Sequence, residues 1–74
     1  MKEKVLKILQ SVNDSITDGV NLIAEGIVDS FEVVNIVMEL EEAFDIEIDA
    51  VDVVSKNFET VDAIVELVEK SSKN

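Results

Sequence analysis

The chain has 74 residues, 17 of them acidic and 6 basic, for a formal net charge of −11. It contains no His, Cys, Trp, Tyr or Pro, which excludes Ser–His–Asp and Cys–His mechanisms and the usual Cys/His zinc sites. The acidity argues against nucleic acid as a partner, since phosphate binding needs Lys and Arg, and points to solubility and to basic partner surfaces.

One small domain, residues 1–74, is expected, near the lower limit for a self-sufficient core. Helix packing has to hold it together, and the Val, Ile and Leu content favours a folded chain over a disordered one. No apolar run approaches about 18 residues, so no membrane span is expected. Met1-Lys2-Glu3-Lys4 leads into an amphipathic segment rather than a signal-peptide core. A cytoplasmic location is expected from that.

In chain order, the first predicted helix runs from about Glu3 to Asn13, where Val5, Leu9, Val12 and then Ile16 share one face. Asn13-Asp14-Ser15 and Thr17-Asp18-Gly19 break it. The connection from Asp14 to Asp29 is longer than most helix–helix loops, so it is expected to fold over the core and bury Leu22, Ile23, Ile27 and Val28. Counted as a calcium loop, Asp14 to Glu25 fails at its third position, where Ile16 stands in place of an oxygen ligand. Loose divalent binding to carboxylate clusters, relieving charge repulsion, is the stronger form of that reading.

The second predicted helix runs from about Ser30 to Phe44, without Gly or Pro. Ser30 follows Asp29 at its start, where backbone N–H groups and the helix dipole favour an anion such as a phosphate. Asp29 or Ser30 also suits a plain N-cap, which does not exclude modification. At about 100° per residue, Val33, Ile36, Val37, Leu40, Ala43 and Phe44 face the core, while Glu32, Asn35, Glu39 and Glu42 face water. Phe31, Val34 and Met38 form a third stripe, flanked by that acidic arc and by Glu41 and Asp45. The stripe either packs under the Asp14–Asp29 loop or docks partners, and an adaptable Met at its centre suits several of them.

Asp45-Ile46-Glu47-Ile48-Asp49 alternates like a strand, but a lone strand has no partner, so it reads as an extended linker that inserts Ile46 or Ile48 into the core. Asp49 is expected to cap a short helical turn through Val53 or Val54, followed by a Ser55-Lys56-Asn57 loop and Phe58 as a core plug. Thr60 caps the last helix, with Val61, Ile64, Val65 and Val68 as its buried stripe. The expected fold is all-α: a small antiparallel four-helix bundle, three main helices plus one short one. Leu9, Val12, Ile36, Leu40, Phe44, Phe58, Ile64 and Val65 are expected in its core. Phe44→Ala is then expected to cost roughly 3–5 kcal/mol.

Asp29-Ser30-Phe31, Val34, Met38-Glu39-Leu40-Glu41-Glu42, Phe44-Asp45-Ile46-Glu47-Ile48, Thr60-Val61 and the final helix together resemble the acyl carrier protein family. The likeness extends from about Leu22 to Val68. It implies that Ser30 carries a covalent 4′-phosphopantetheine arm derived from coenzyme A, whose terminal thiol holds an acyl or aminoacyl group as a thioester. It also implies a non-enzymatic protein, expected to be a monomer, that is served by other enzymes. These are a Mg-dependent phosphopantetheinyl transferase, with Asp29 positioning the metal in that complex, and acyl- or aminoacyl-loading and transfer enzymes with basic docking patches. Phe31, Glu32, Val34, Asn35, Met38, Glu39, Glu41 and Glu42 are the expected partner-binding residues, although Asn35 stands where an acidic residue is common. Gly26-Ile27-Val28-Asp29-Ser30-Phe31 looks more like D-alanyl and aminoacyl carriers or those of specialised pathways. Val37-Met38-Glu39-Leu40-Glu41-Glu42 looks like the carriers of fatty acid biosynthesis. The rival reading is an unmodified acidic helical interaction domain or a divalent-cation sensor, which calcium-dependent folding without an attached arm would reveal.

Overall fold

The computed structural model describes residues 1–72. Three main helices, α1 (Lys2–Val12), α2 (Ser30–Phe44) and α3 (Val61–Ser71), form the bundle, with two 3-10 turns, Ala50–Asp52 and Ser55–Phe58, between α2 and α3. No strand occurs among the described residues. Helix α1 packs against both α2 and α3, and the second 3-10 turn packs against α3.

The core is aliphatic apart from Phe58. Val5 and Leu9 of α1, Val33, Ile36 and Leu40 of α2, and Val61, Ile64, Leu67 and Val68 of α3 are buried. The long connection between α1 and α2 lies over this core, burying Ile16, Leu22 and Val28 and half-burying Ile23 and Ile27. Its backbone is tied down where Leu22 N–H donates to Glu59 O at 2.6 Å, just before α3. The linker expected to be extended from Asp45 begins with a left-handed Asp45 and has no regular structure from Ile46 to Asp49, with Ile48 buried and Ile46 packed against the core edge.

Three residues expected in the core are only partly buried: Val12, Phe44 and Val65. Each lies at the edge of its helix's apolar stripe, where a helical wheel cannot show whether another element closes over it. Ala43, placed on the core arc by the wheel, is exposed. Phe44 turns part of its ring to solvent and has the Lys4 ammonium 4.9 Å from its centroid, a cation–π contact. Leu67, absent from the expected stripe of α3, is buried because it lies one turn beyond Ile64 on the same face.

The short helix after Asp49 is a single 3-10 turn, with the Asp49 carboxylate accepting from Val51 N–H. Ser55-Lys56-Asn57, expected as a loop, belongs to the second such turn, which delivers Phe58 to the core. Asn57 Nδ2 joins the two by donating to Asp52 O at 2.8 Å. At the far end of α3, Lys70 Nζ pairs with Asp52 Oδ1 at 3.0 Å.

Few cations stand against so many carboxylates, and Lys2 holds two of them. Its Nζ lies 2.7 Å from Asp18 Oδ2 and 2.8 Å from Asp62 Oδ1, joining α1 to the following loop and to the first turn of α3. The hydrogen bonds to Asp18 and then Asp62 push the Lys2 ammonium up to about 12. The Lys2 hydrogen bond likewise holds the Asp18 carboxyl below its usual value.

Two outcomes follow from this packing. Phe58→Ala should cost about 3–5 kcal/mol, and Phe44→Ala clearly less, as read by chemical denaturation; equal losses would contradict the assigned burial. The Lys2 clamp works while all three groups are charged. Its Asp18 part is fully present above the unfolded carboxyl value of 3.8 and is lost as pH falls through the lowered folded value. Its Lys2 part is fully present below 10.5 and is lost as pH rises through about 12. Lys2→Met should therefore lower Tm at neutral pH and low salt. The gap from wild type should close in strong acid and shrink at high ionic strength, because these groups are exposed and screened.

Candidate functional site

Helix α2 begins at Ser30 because Asp29 caps it. The Asp29 backbone is extended, its carboxylate Oδ1 accepts from Glu32 N–H at 2.9 Å, and its carbonyl accepts from Val33 N–H at 3.1 Å. The N–H groups of Ser30 and Phe31 are left at the positive end of the helix without an intrahelical acceptor. Ser30 is thus the first helical residue rather than the cap, and Asp29, Ser30 and Phe31 are all exposed.

The approach to Ser30 is shaped by the preceding loop. Gly26 has φ +72°, a left-handed conformation that costs glycine little. Beyond it, Ile27 and Val28 N–H both donate to Leu22 O. Asn13, one residue past α1, donates from Nδ2 to Ile27 O and to Glu32 Oε1, each at 2.8 Å. Its Oδ1 accepts from Ser15 N–H at 2.9 Å. The strand of backbone leading to Ser30 is therefore fastened to the end of α1.

Along α2, Phe31 is 82% exposed and Val34 and Met38 are each 54% exposed. The stripe does not pack under the 14–29 loop; it faces outward. Asn35, Glu39 and Glu42 are exposed beside it. Ser11, Val12, Asn35, Met38 and Glu39 line a shallow groove between α1 and α2. Two of the acidic residues grouped with this face have internal partners. Glu32 is half-buried and accepts from Asn13, and Glu41 is half-buried and accepts from Ile48 N–H at 2.9 Å. Glu41 thereby fixes the linker that inserts Ile48.

Asn13 was not legible as a site feature. Asn13 reads in sequence as a helix breaker, and its partners lie 14 and 19 residues away. In the 14–25 segment, Asp18 is bound to Lys2 and to Gly19 N–H. Among the described residues, no group of three or more acidic side chains gathers to hold a metal ion. No helix among them is long and apolar enough to cross a membrane.

Comparison with known proteins gives the family. The family described as "Phosphopantetheine attachment site" matches residues 1–68. The chain belongs to that family. Among its relatives are the "D-alanyl carrier protein" of Bacillus cereus strain B4264 and that of Bacillus anthracis strain CDC 684. Each is 37% identical over 73 residues, spanning 93% of this chain and 92% of the relative. No solved structure matches the chain. The protein is therefore a carrier with a covalently attached 4′-phosphopantetheine and not an enzyme, acting with a phosphopantetheinyl transferase and with loading enzymes. The matches give no support to an unmodified interaction domain or a cation sensor.

The start of α2 fits such a group. A phosphodiester on the Ser30 hydroxyl would lie at the helix's positive end, with exposed residues on either side and solvent beyond.

The cap carries its own test. Asp29→Ala should destabilise the protein by about 1 kcal/mol through loss of the Glu32 N–H acceptor, whereas Asp29→Asn should retain most of the cap. Thermal unfolding of the two variants separates these outcomes, and equal losses would show that the cap is not what Asp29 contributes.

Proposed function

We propose that Ser30 is the attachment residue and that the cargo is an aminoacyl group of the D-alanyl kind rather than a fatty acyl chain. The observation that carries the first part is an exposed hydroxyl at the first position of a capped helix, in a chain of the phosphopantetheine-attachment family. The second part is supported by the relatives' name and by Phe31 directly after the serine.

In the modification, the Ser30 Oγ attacks the phosphorus of coenzyme A that bears the pantetheine. A new O–P bond forms, the pyrophosphate bond breaks, and adenosine 3′,5′-bisphosphate leaves. The serine proton passes to a base of the transferase. Asp29 holds the helix start through its cap and presents its carboxylate beside Ser30, where it helps to position the transferase's metal ion. Once attached, the group supplies a terminal thiol that holds the cargo as a thioester, a nucleophile that this cysteine-free chain lacks.

Partner recognition falls to the outward face of α2. Phe31, Val34 and Met38 dock against apolar patches, and Asn35, Glu39 and Glu42 meet basic residues around them, while Glu32 and Glu41 border the face. Exposed charge pairs contribute about 0–1 kcal/mol each, so several act together, and mainly on association rate. The same reading makes the chain one carrier domain that works as a monomer in the cytoplasm, where coenzyme A is available.

Intact mass after incubation with coenzyme A and a broad-specificity transferase tests the attachment. Wild type should gain the mass of one arm and Ser30→Ala none; modification of the alanine variant would overturn it. In the same assay, Glu39→Lys with Glu42→Lys should slow transfer at low salt, and Met38→Ala should weaken it at every salt concentration. Charge reversal without effect on rate would remove the recognition role of this face.

A further inference from the structure

The side chain of Asn13 connects three separate parts of the chain. It sits one residue past α1 and is half-buried. Its Oδ1 accepts from Ser15 N–H at 2.9 Å, while Nδ2 donates to Ile27 O and to Glu32 Oε1, both at 2.8 Å. The last two contacts bracket the site. Ile27 stands two residues before Asp29, and Glu32 stands two residues after Ser30. Glu32 N–H is in turn held by Asp29 Oδ1. The backbone before the serine and the Glu32 side chain after it are thus fastened, through one amide, to the end of α1.

The segment needs such a fastening. It leaves the left-handed Gly26 and reaches an extended Asp29 with exposed surface around it. The attacking oxygen, by contrast, has to be presented within about 3–3.5 Å of phosphorus and in line with the leaving group. An asparagine amide suits the task because it offers two donors and an acceptor without adding charge. An aspartate here could accept from Ser15 N–H but would repel Glu32 and leave the Ile27 carbonyl without its donor.

We propose that Asn13 is a positioning residue for modification of Ser30, acting through Ile27 and Glu32. The inference rests on Ser30 being the attachment residue. It also assigns Glu32 a different task from Glu39 and Glu42: its carboxylate is an acceptor for Asn13 and holds the first turn of α2, rather than a charge offered to a partner.

Steady-state transfer from coenzyme A by a broad-specificity transferase tests this on the apo-protein, with kcat and KM read separately and amide hydrogen exchange measured alongside. Asn13→Ala should lower kcat about tenfold with KM little changed, and Asn13→Asp should do the same. Amide exchange should quicken at Val28 and Glu32 but not through α3. Glu32→Gln, whose side-chain oxygen still accepts from Asn13, should keep kcat, whereas Glu32→Ala should lose it as Asn13→Ala does. Val65→Ala, in α3 away from the site, controls for a general loss of stability and should keep kcat.

A wild-type kcat in Asn13→Ala would overturn the proposal. So would a kcat loss shared by Val65→Ala. Equal rises in KM for Glu32→Gln and Glu32→Ala would overturn it too, by making Glu32 a docking charge. If wild type gains no arm, or Ser30→Ala gains one, the attachment reading fails and this inference fails with it. If wild type is modified at Ser30 and Asn13→Ala matches it, only the inference fails.

Discussion

An aliphatic core has to hold the chain closed against eleven uncompensated negative charges. No polar or charged side chain is buried among the described residues, so the interior consists of Val, Leu, Ile and one Phe. That division leaves every carboxylate at or near the surface, where water and salt reduce the repulsion between them. It also leaves little room for polar devices inside the bundle. Capping, clamping and fastening are all done at the periphery, by Asp29, Thr60, Lys2 and Asn13. A fold held by non-directional burial can carry a strongly one-signed surface, provided that its few directional contacts sit where geometry matters.

The distribution of acid along α2 shows which contacts serve stability and which do not. Glu32 lies in the first turn, where negative charge is favoured by the helix dipole. Glu41 and Glu42 lie near the negative end, followed by Asp45, and no basic residue stands in the last turn to offset them. Glu41 is compensated by the Ile48 N–H that it accepts, whereas Glu42 is exposed. Asp45 ends the helix at φ +53°, a left-handed position that aspartate tolerates better than most residues. Carboxylates on the unfavourable side of a dipole cost stability.

Much of this was legible because its causes are local. The bounds of α2 followed from a periodic run without Gly or Pro, and the Thr60 cap from a side chain that reaches only three residues ahead, whereas the choice between Asp29 and Ser30 as the cap of α2 is decided by the structure. The Phe58 plug and the insertion of Ile48 from the linker after α2 were likewise readable, since a lone aromatic and an alternating apolar pair have few other places to go. What escaped was set by elements distant in sequence. Whether Val12, Phe44 and Val65 are covered depends on neighbours that a helical wheel does not contain. Two 3-10 turns replaced one short helix because such brief segments carry no period of their own. Ser30 was visible as a candidate from its neighbours alone. Asn13 was not, because its role exists only once α1, the loop and α2 have met.

The hydrogen bond from Leu22 to Glu59 joins segments far apart in the chain. It closes a loop that encloses the whole of α2, and closing such a loop costs chain entropy before any contact repays it. The backbone that leads into Ser30 is thus anchored at Leu22 to the segment before α3 and at Ile27 to the end of α1. A disturbance at the start of α3 would therefore be felt at Leu22, the residue whose carbonyl holds the turn before Ser30.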